Sequence, residues 1–306
     1  MSEPSLPRCA VLLAAYNGTT WIAEQVQSIC GQQAVAVTVF ISVDRSDVNT
    51  YELCRTLAAA NPAIQLLSFG EVYGSGAQNF FRLLRDVDFS GFDAVALADQ
   101  DDIWFPHKLA RACTQLAAGF GAYSSNVIAQ WPSGQQRLID KAQPARQWDY
   151  LFEAAGPGCT YVLKPALANQ IKAVLQKQPD TRQIILHDWL IYALARSHGY
   201  RWFIDKEPGM IYRQHAHNHL GVNNGWAALG ARLHTFMSGK WLTQARLIAH
   251  LCDQQHTDFV RSWSALDRKA LWFLIRNAGQ CRRRLRDRWV FRLLCGALLV
   301  RGIKDR

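Results

Sequence analysis

Between residues 9 and 115 the chain alternates short, unbroken apolar runs with stretches of helical periodicity, a pattern that few folds accommodate. "CAVLLAAY", "VTVFISV", "IQLLSF" and "DAVALA" read as strands. "TTWIAEQVQSICGQ", capped by Thr19 or Thr20, "TYELCRTLAAA", closed by Asn61-Pro62, and "AQNFFRLLRDV" read as helices. A strand with one wet face alternates apolar and polar residues, whereas an unbroken apolar strand is covered on both faces. The pattern therefore predicts an α/β sheet, parallel in this half, with right-handed crossovers and helices on each side. Ligands of such sheets bind beyond the carboxyl ends of the strands. Three of those ends carry polar signatures: "AAYNG" at 14 to 18, "SVDRSD" at 42 to 47 and "DQDD" at 99 to 102.

Residues 120 to 225 are more mixed, with a strand-like "AYSSNVIAQW", a Gly-rich "AAGPGCTYVLKP", the helices "ALANQIKAVLQKQ" and "ILHDWLIYALARSHG", and an aromatic-rich segment ending "YRQHAHNH". From about 226 the pattern turns helical and basic, with Gly225 and Gly230 near the change. Hydrophobic residues make up 49% of the chain and charged ones 19%, which supplies a core and argues against disorder. The net charge of +10 is uneven, densest at "RRRLRDRWVFRLLCGALLVR", residues 282 to 301. That stretch is short of the roughly 18 apolar residues a bilayer span needs. It reads either as a helix lying on an anionic membrane or as one packed on the rest of the chain with its basic face solvated. Nucleic acid is a poorer partner, because the arginines are not interleaved with stacking aromatics and an acidic rim repels phosphate. The 8 cysteines are scattered with no CxxC pair, as expected of buried thiols in a reducing compartment. Arg8 followed by "CAVLLAA" imitates a short signal peptide, but Glu3 and two leader prolines favour a first strand and a cytoplasmic protein.

The strand ends suggest chemistry and leave alternatives. Asp99 and Asp101, two apart on a loop, can reach one hard divalent cation and leave positions open for phosphate oxygens. On spacing alone the acidic run better suits a solvated turn, with Asp101 or Asp102 capping a helix that begins near Pro106. Asp44 can accept the imide N–H of a uracil or thymine ring or simply form a turn, with Ser46 and Asp47 serving a ribose or the same turn. Asp188, at the start of a helix, is either a cap or a carboxylate base. Trp189 is either a sugar-facing wall or core. His215, His217 and His219 make a weak zinc pattern without a Cys or carboxylate partner. Arg213 has the fork geometry that suits phosphate. The glycines of "GPGCTY", Gly156 to Tyr161, allow close approach to a ligand or a tight turn.

Taken in order, "LLAAYNGTTWIAEQVQSI", "ISVDRSDVNT", "GSGAQNFFRLL", "ALADQDDIWFPHKL", "GCTYVLKPAL", "LHDWLIYALA" and "YRQHAHNHLG" resemble the inverting family 2 glycosyltransferases of the GT-A fold. The likeness is greatest to their bacterial rhamnosyltransferase-like branch, which builds lipopolysaccharide core or O-antigen, and covers about residues 9 to 222. The resemblance implies a nucleotide-diphosphate sugar donor, a glycolipid or oligosaccharide acceptor, and Mg²⁺ or Mn²⁺. It assigns Ala15, Tyr16, Asn17, Asp44, Asp99, Gln100 and Arg213 to the nucleotide sugar. Asp101, Asp99 and His215 fall to the metal, Asp188 to the catalytic base, and His187 and Trp189 to the acceptor. Residues 1–225 become a catalytic domain, with a nucleotide-sugar half at 9–115 and an acceptor half at 116–225. Residues 226–306 become a basic helical region able to hold the enzyme at the inner face of the cytoplasmic membrane. L-Rhamnose from dTDP-L-rhamnose is the donor implied by the branch; a UDP-hexose would use the same chemistry. One departure stands out: the family commonly has Asp-Asp-Gly-Ser where this chain has Val43-Asp44-Arg45-Ser46. A processive polysaccharide synthase on the same fold would want a Gln-x-x-Arg-Trp motif, which "QPARQW" does not match.

Overall fold

The computed structural model describes residues 5–45, 48–215 and 239–302. The first half runs β1 (Arg8–Ala15), α1 (Ile22–Cys30), β2 (Ala36–Val43), α2 (Val48–Ala60), β3 (Ile64–Leu66), α3 (Gly76–Asp86), β4 (Ala94–Ala98), β5 (Ile103–Trp104) and α4 (Lys108–Ala117). There follow β6 (Ala122–Ser125), β7 (Val127–Gln130), β8 (Gln136–Ile139), β9 (Val162–Leu163), α5 (Pro165–Lys177), α6 (His187–Ser197), β10 (Trp202–Asp205) and β11 (Met210–Arg213). Four helices close the chain: α7 (Lys240–Leu251), α8 (Asp258–Ser264), α9 (Arg268–Cys281) and α10 (Leu285–Arg301).

Seven strands form the main sheet in the order β10-β6-β9-β4-β1-β2-β3, parallel except for β9. The unbroken apolar runs are explained by what lies on each side. In β1, Leu12 faces Phe80 and Leu84 of α3, while Val11 and Leu13 pack with Ile22 and Val26 of α1. In β4, Val95 and Leu97 join the first cluster and Ala94, Ala96 and Ala98 the second. Each such Val or Leu contributes roughly 1.5–3 kcal/mol on burial, so a polar residue on either face would be costly.

Sequence and structure part at three points. Helix α1 begins at Ile22 without a side-chain cap from Thr19 or Thr20, because the Gly18 carbonyl accepts from the amides of Trp21 (3.2 Å) and Ile22 (3.1 Å). Helix α4 begins at Lys108, with no side-chain cap, so Asp102 does not cap it; Asp102 is fully buried instead. "AYSSNVIAQW" is two strands in two sheets. Asn126 marks the break, its side chain donating to the Lys206 carbonyl (2.8 Å) and accepting from the Lys141 amide (2.7 Å). Beyond it lies a small second sheet, ordered β5-β11-β7-β8.

The C-terminal helices share the first cluster with α3, α5 and α6. Phe152 meets the rings of Trp263 (5.1 Å) and Phe291 (5.3 Å). Helix α10 turns Phe291, Leu294, Cys295 and Leu298 inward. It leaves Leu285 (64% exposed), Trp289 (58%), Leu293 (72%) and Val300 (87%) outward, a stripe at helical spacing. No helix among the described residues is long and apolar enough to cross a membrane. The cysteines are free thiols; Cys9 and Cys113 approach to 3.6 Å between sulfurs, well beyond a disulfide bond.

Candidate active site

The registers of β1 with β2 and β4 put three strand ends side by side, Ala15 beside Val43 and Leu13 beside Ala98. The three polar signatures therefore meet on one rim. Asp44 leaves β2 with its amide on the Ala15 carbonyl (2.9 Å), and its nearly buried carboxylate accepts from the Gly74 amide (3.0 Å). Asn17 takes a left-handed turn, φ 47°, as Asn does more readily than most residues. Gln100 pairs with the Tyr16 backbone in both directions: Oε1 accepts from the amide (2.8 Å) and Nε2 donates to the carbonyl (2.6 Å). A Cβ at position 18 would lie 2.1 Å from that Oε1, so the clamp requires Gly18. Ser46 and Asp47 lie outside the described residues, as do His217, His219, Gly225 and Gly230.

The acidic loop after β4 is held between the two sheets. Side-chain ligand atoms of Asp99, Asp102 and Cys159 lie within 4.8 Å of one another, and His215 Nε2 meets Asp101 Oδ2 at 2.7 Å. β5 pairs antiparallel with β11, which delivers Arg213 and His215 to the loop. Arg213 pairs with Glu24, donates weakly to the Asp101 carbonyl (3.4 Å) and stands 4.7 Å from the Trp21 ring. Burial first, then the neighbouring Asp101, pushes the Asp99 carboxyl up to about 7. Burial likewise keeps the Cys159 thiol well above its usual range, so it is protonated and the hard donors are oxygens. Enclosed carboxylates whose charges oppose each other suit a divalent cation, with His215 beside Asp101 as a further donor.

Asp188 stands in the first turn of α6, not at its cap, with Oδ1 accepting from the Trp189 amide (2.7 Å). Burial raises its carboxyl to about 6, and its charge in turn helps to raise the carboxyl of Asp99. The adjacent His187 ring stacks on Phe80 (4.1 Å between centroids), and a Cβ on Gly158 would meet its Nε2 at 2.3 Å. Burial drives this imidazole down to about 3, so it stays neutral. Trp189 is 8% exposed and donates from Nε1 to the Tyr150 carbonyl (3.1 Å), a core position beneath Asp188.

Some site residues carried no sequence signal. Cys159 reaches Asp99 because β9 runs antiparallel beside β4, which carries the turn Gly158–Thr160 to the end of β4. Trp21 and Glu24 join through Arg213. Lys141, half-buried, acts electrostatically on Asp188 from a loop that reads as plain linker.

The glycosyltransferase like family 2 profile matches residues 7–134. The chain is 42% identical over 232 residues to the dTDP-rhamnosyl transferase RfbG of Shigella flexneri, covering 75% of this chain and 80% of that one. Among solved structures, S. aureus TarS 1-349 is similar with a TM-score of 0.58 at 14% identity, over 96% of this chain and 82% of that one. The mannosyltransferase PcManGT from Pyrobaculum calidifontis, in complex with GDP-Man and Mn²⁺, gives 0.56 at 17% identity, over 98% and 88%. At such identities these two bear on the fold alone, and they share with this chain a mixed α/β architecture, the GT-A fold. The rhamnosyl transferase relationship spans most of both chains, and by it this protein belongs to glycosyltransferase family 2 and is a glycosyltransferase.

Proposed function

We propose that the protein transfers a single L-rhamnosyl residue from dTDP-L-rhamnose to a hydroxyl of a bacterial cell-surface glycolipid, with inversion at the anomeric carbon. The observation that carries this reading is the 42% identity to a dTDP-rhamnosyl transferase over 232 residues. In this reading Asp44 receives the imide N–H of thymine, and Ala15, Tyr16 and Asn17, held by Gln100, line the nucleotide. Arg213 faces the diphosphate with a guanidinium already oriented by Glu24 and Trp21. Asp99, Asp101 and His215 would hold Mg²⁺ or Mn²⁺, which when bound neutralises charge on the departing diphosphate.

Asp188 is the base. Its carboxylate takes the proton of the acceptor hydroxyl as that oxygen attacks the anomeric carbon; the bond from that carbon to the diphosphate oxygen breaks, and its electron pair leaves with dTDP. A carboxyl raised to about 6 is still ionised near neutral pH and more basic than an ordinary aspartate, as a general base should be. His187, enclosed by Phe80 and Gly158, and Trp189, fixed to Tyr150, support the acceptor side from behind by setting where α6 begins. The membrane partner belongs to the same proposal: the outward stripe of α10, flanked by Arg286 and Arg292, lies on anionic lipid at the inner face of the cytoplasmic membrane.

The test is nucleotide release from a panel of donors, dTDP-rhamnose and UDP-hexoses among them, with Mg²⁺ or Mn²⁺ and with EDTA. Release from dTDP-rhamnose that EDTA abolishes is expected. Release from a UDP-hexose alone would move the donor, and no release from any donor would remove the reading.

A further inference from the structure

The acceptor side holds a cation that the proposed chemistry leaves unused. Lys141 follows β8 with its amide on Asn126 Oδ1 (2.7 Å), so its backbone is pinned where the chain passes between the two sheets. Its stem lies against Gly156, where an added Cβ would come within 3.6 Å of Lys141 Cβ and Cγ. Two residues on, Gly158 abuts His187, the residue before Asp188. The loop between is fixed by Tyr161, whose hydroxyl accepts from the Ala155 amide (2.9 Å) and donates to the Gly156 carbonyl (3.3 Å). Lys141, the glycine loop and Asp188 therefore form one continuous wall.

The ammonium of this half-buried lysine makes no hydrogen bond or close ion pair among the described residues. Holding an ammonium partly out of water without a partner is unfavourable, and an anionic ligand removes the cost. The charges around it identify the ligand's side. Lys141 is attracted by Glu153 and Asp287 and repelled by Arg282 and Arg283 at the head of α10, and it acts on Asp188. Arg282, 5.4 Å from the Phe291 ring, also buries an Nε with no hydrogen-bond partner. Directly after these arginines begins the outward apolar stripe, at Leu285. Cationic donors between a base and an apolar exposed helix fit an amphiphile with an anionic head.

We propose that Lys141, seconded by Arg282, is an anion site for the acceptor: it takes a phosphate group of a phosphorylated, lipid-linked acceptor and so sets the acceptor hydroxyl against Asp188. This rests on the transferase reading above and names its acceptor class. The phosphate could instead be the donor's own diphosphate, and the experiment separates the two sources.

Calorimetric titration of the full chain with farnesyl diphosphate, and separately with dTDP plus Mg²⁺, is run on the wild type, Lys141→Met and Lys141→Arg. A lost charge-assisted contact predicts farnesyl diphosphate binding weakened about tenfold or more in Lys141→Met. Lys141→Arg is expected to retain it, and dTDP–Mg²⁺ affinity to stay within about twofold in both. Thermal melting of the two variants checks the fold, and binding by Lys141→Arg shows the loop intact. Equal loss of dTDP–Mg²⁺ affinity would assign the lysine to the donor, while unchanged farnesyl diphosphate affinity, or none in the wild type, would overturn the site. Failure of the wild type to release dTDP from dTDP-rhamnose, with water taking the rhamnosyl group in place of the acceptor hydroxyl, would remove the rhamnosyl reading separately.

Discussion

Alanine at position 18 would drive a Cβ to 2.1 Å from Gln100 Oε1, and one of two things must give: the Tyr16 clamp or the turn at Asn17. Overpacking of this kind costs roughly 1–3 kcal/mol. Gly18→Ala is therefore expected to raise the donor KM about tenfold with a smaller effect on acceptor KM, measured by steady-state kinetics. At Asp188 the expectation concerns rate: Asp188→Asn lowers kcat by about a hundred- to ten-thousandfold while calorimetry shows dTDP–Mg²⁺ still bound. The sign of the pH dependence follows from its raised carboxyl. The ionised form is the working base, so kcat/KM stays level above pH 6 to 7 and falls about tenfold per unit as pH drops below about 6. At this scale the carboxylates were legible because Asp44, Asp99, Asp101 and Asp188 each stand at the end of an element whose periodicity is plain. Asp102 was not, since a loop aspartate next to a helix start reads as a cap, and only the fold shows it buried beside Cys159 with Asp99. Lys141 gave no sign at all, because what makes it notable is a neighbour 47 positions away, Asp188.

The elements that hold the site differ in how they declare themselves. The strands of the main sheet follow from unbroken apolar runs, and α3, α5 and α6 from their periodicity. The second sheet does not, because its strands are two to four residues long and their partners are distant in sequence, as with Ile103 and Ile211. Yet that sheet carries Arg213 and His215 to the acidic loop. The segment after β8 depends in turn on the C-terminal helices. Buried Arg283 sits between α9 and α10, donates from Nη2 to the Ala154 carbonyl (2.7 Å) and lies 3.7 Å from both Asp149 and Glu153. Arg283→Met would leave Asp149 with Arg196 (3.1 Å) but Glu153 without its salt bridge. Breaking a buried pair in this way costs about 3 kcal/mol. Urea unfolding should show that loss, and the acceptor KM should rise more than the donor KM because the loop from Glu153 to Gly158 loosens.

Across the whole molecule, a single apolar cluster runs from α3 through α6 into α10, so the basic helices are built onto the transferase fold rather than tethered beside it. The outer side of α10 is nonetheless apolar, so the two readings of its sequence are not exclusive: one stripe packs inward, and the other is left free for the membrane contact proposed above. Replacing Trp289 and Leu293 by serine and glutamate removes two outward anchors, each worth roughly 1.5–3 kcal/mol when buried. Cosedimentation with vesicles rich in anionic lipid is expected to fall at least tenfold, with the melting temperature unchanged and the residual binding lost in high salt. The central claim is narrower than any of these. Incubating the enzyme with dTDP-L-rhamnose, Mg²⁺ and extracted cell-surface glycolipid, and resolving the product by mass spectrometry and anomeric NMR, addresses it directly. One added rhamnose per acceptor, with the anomeric configuration opposite to the donor's and no product from Asp188→Asn, is the predicted result; a retained configuration, or undiminished product from Asp188→Asn, would contradict it.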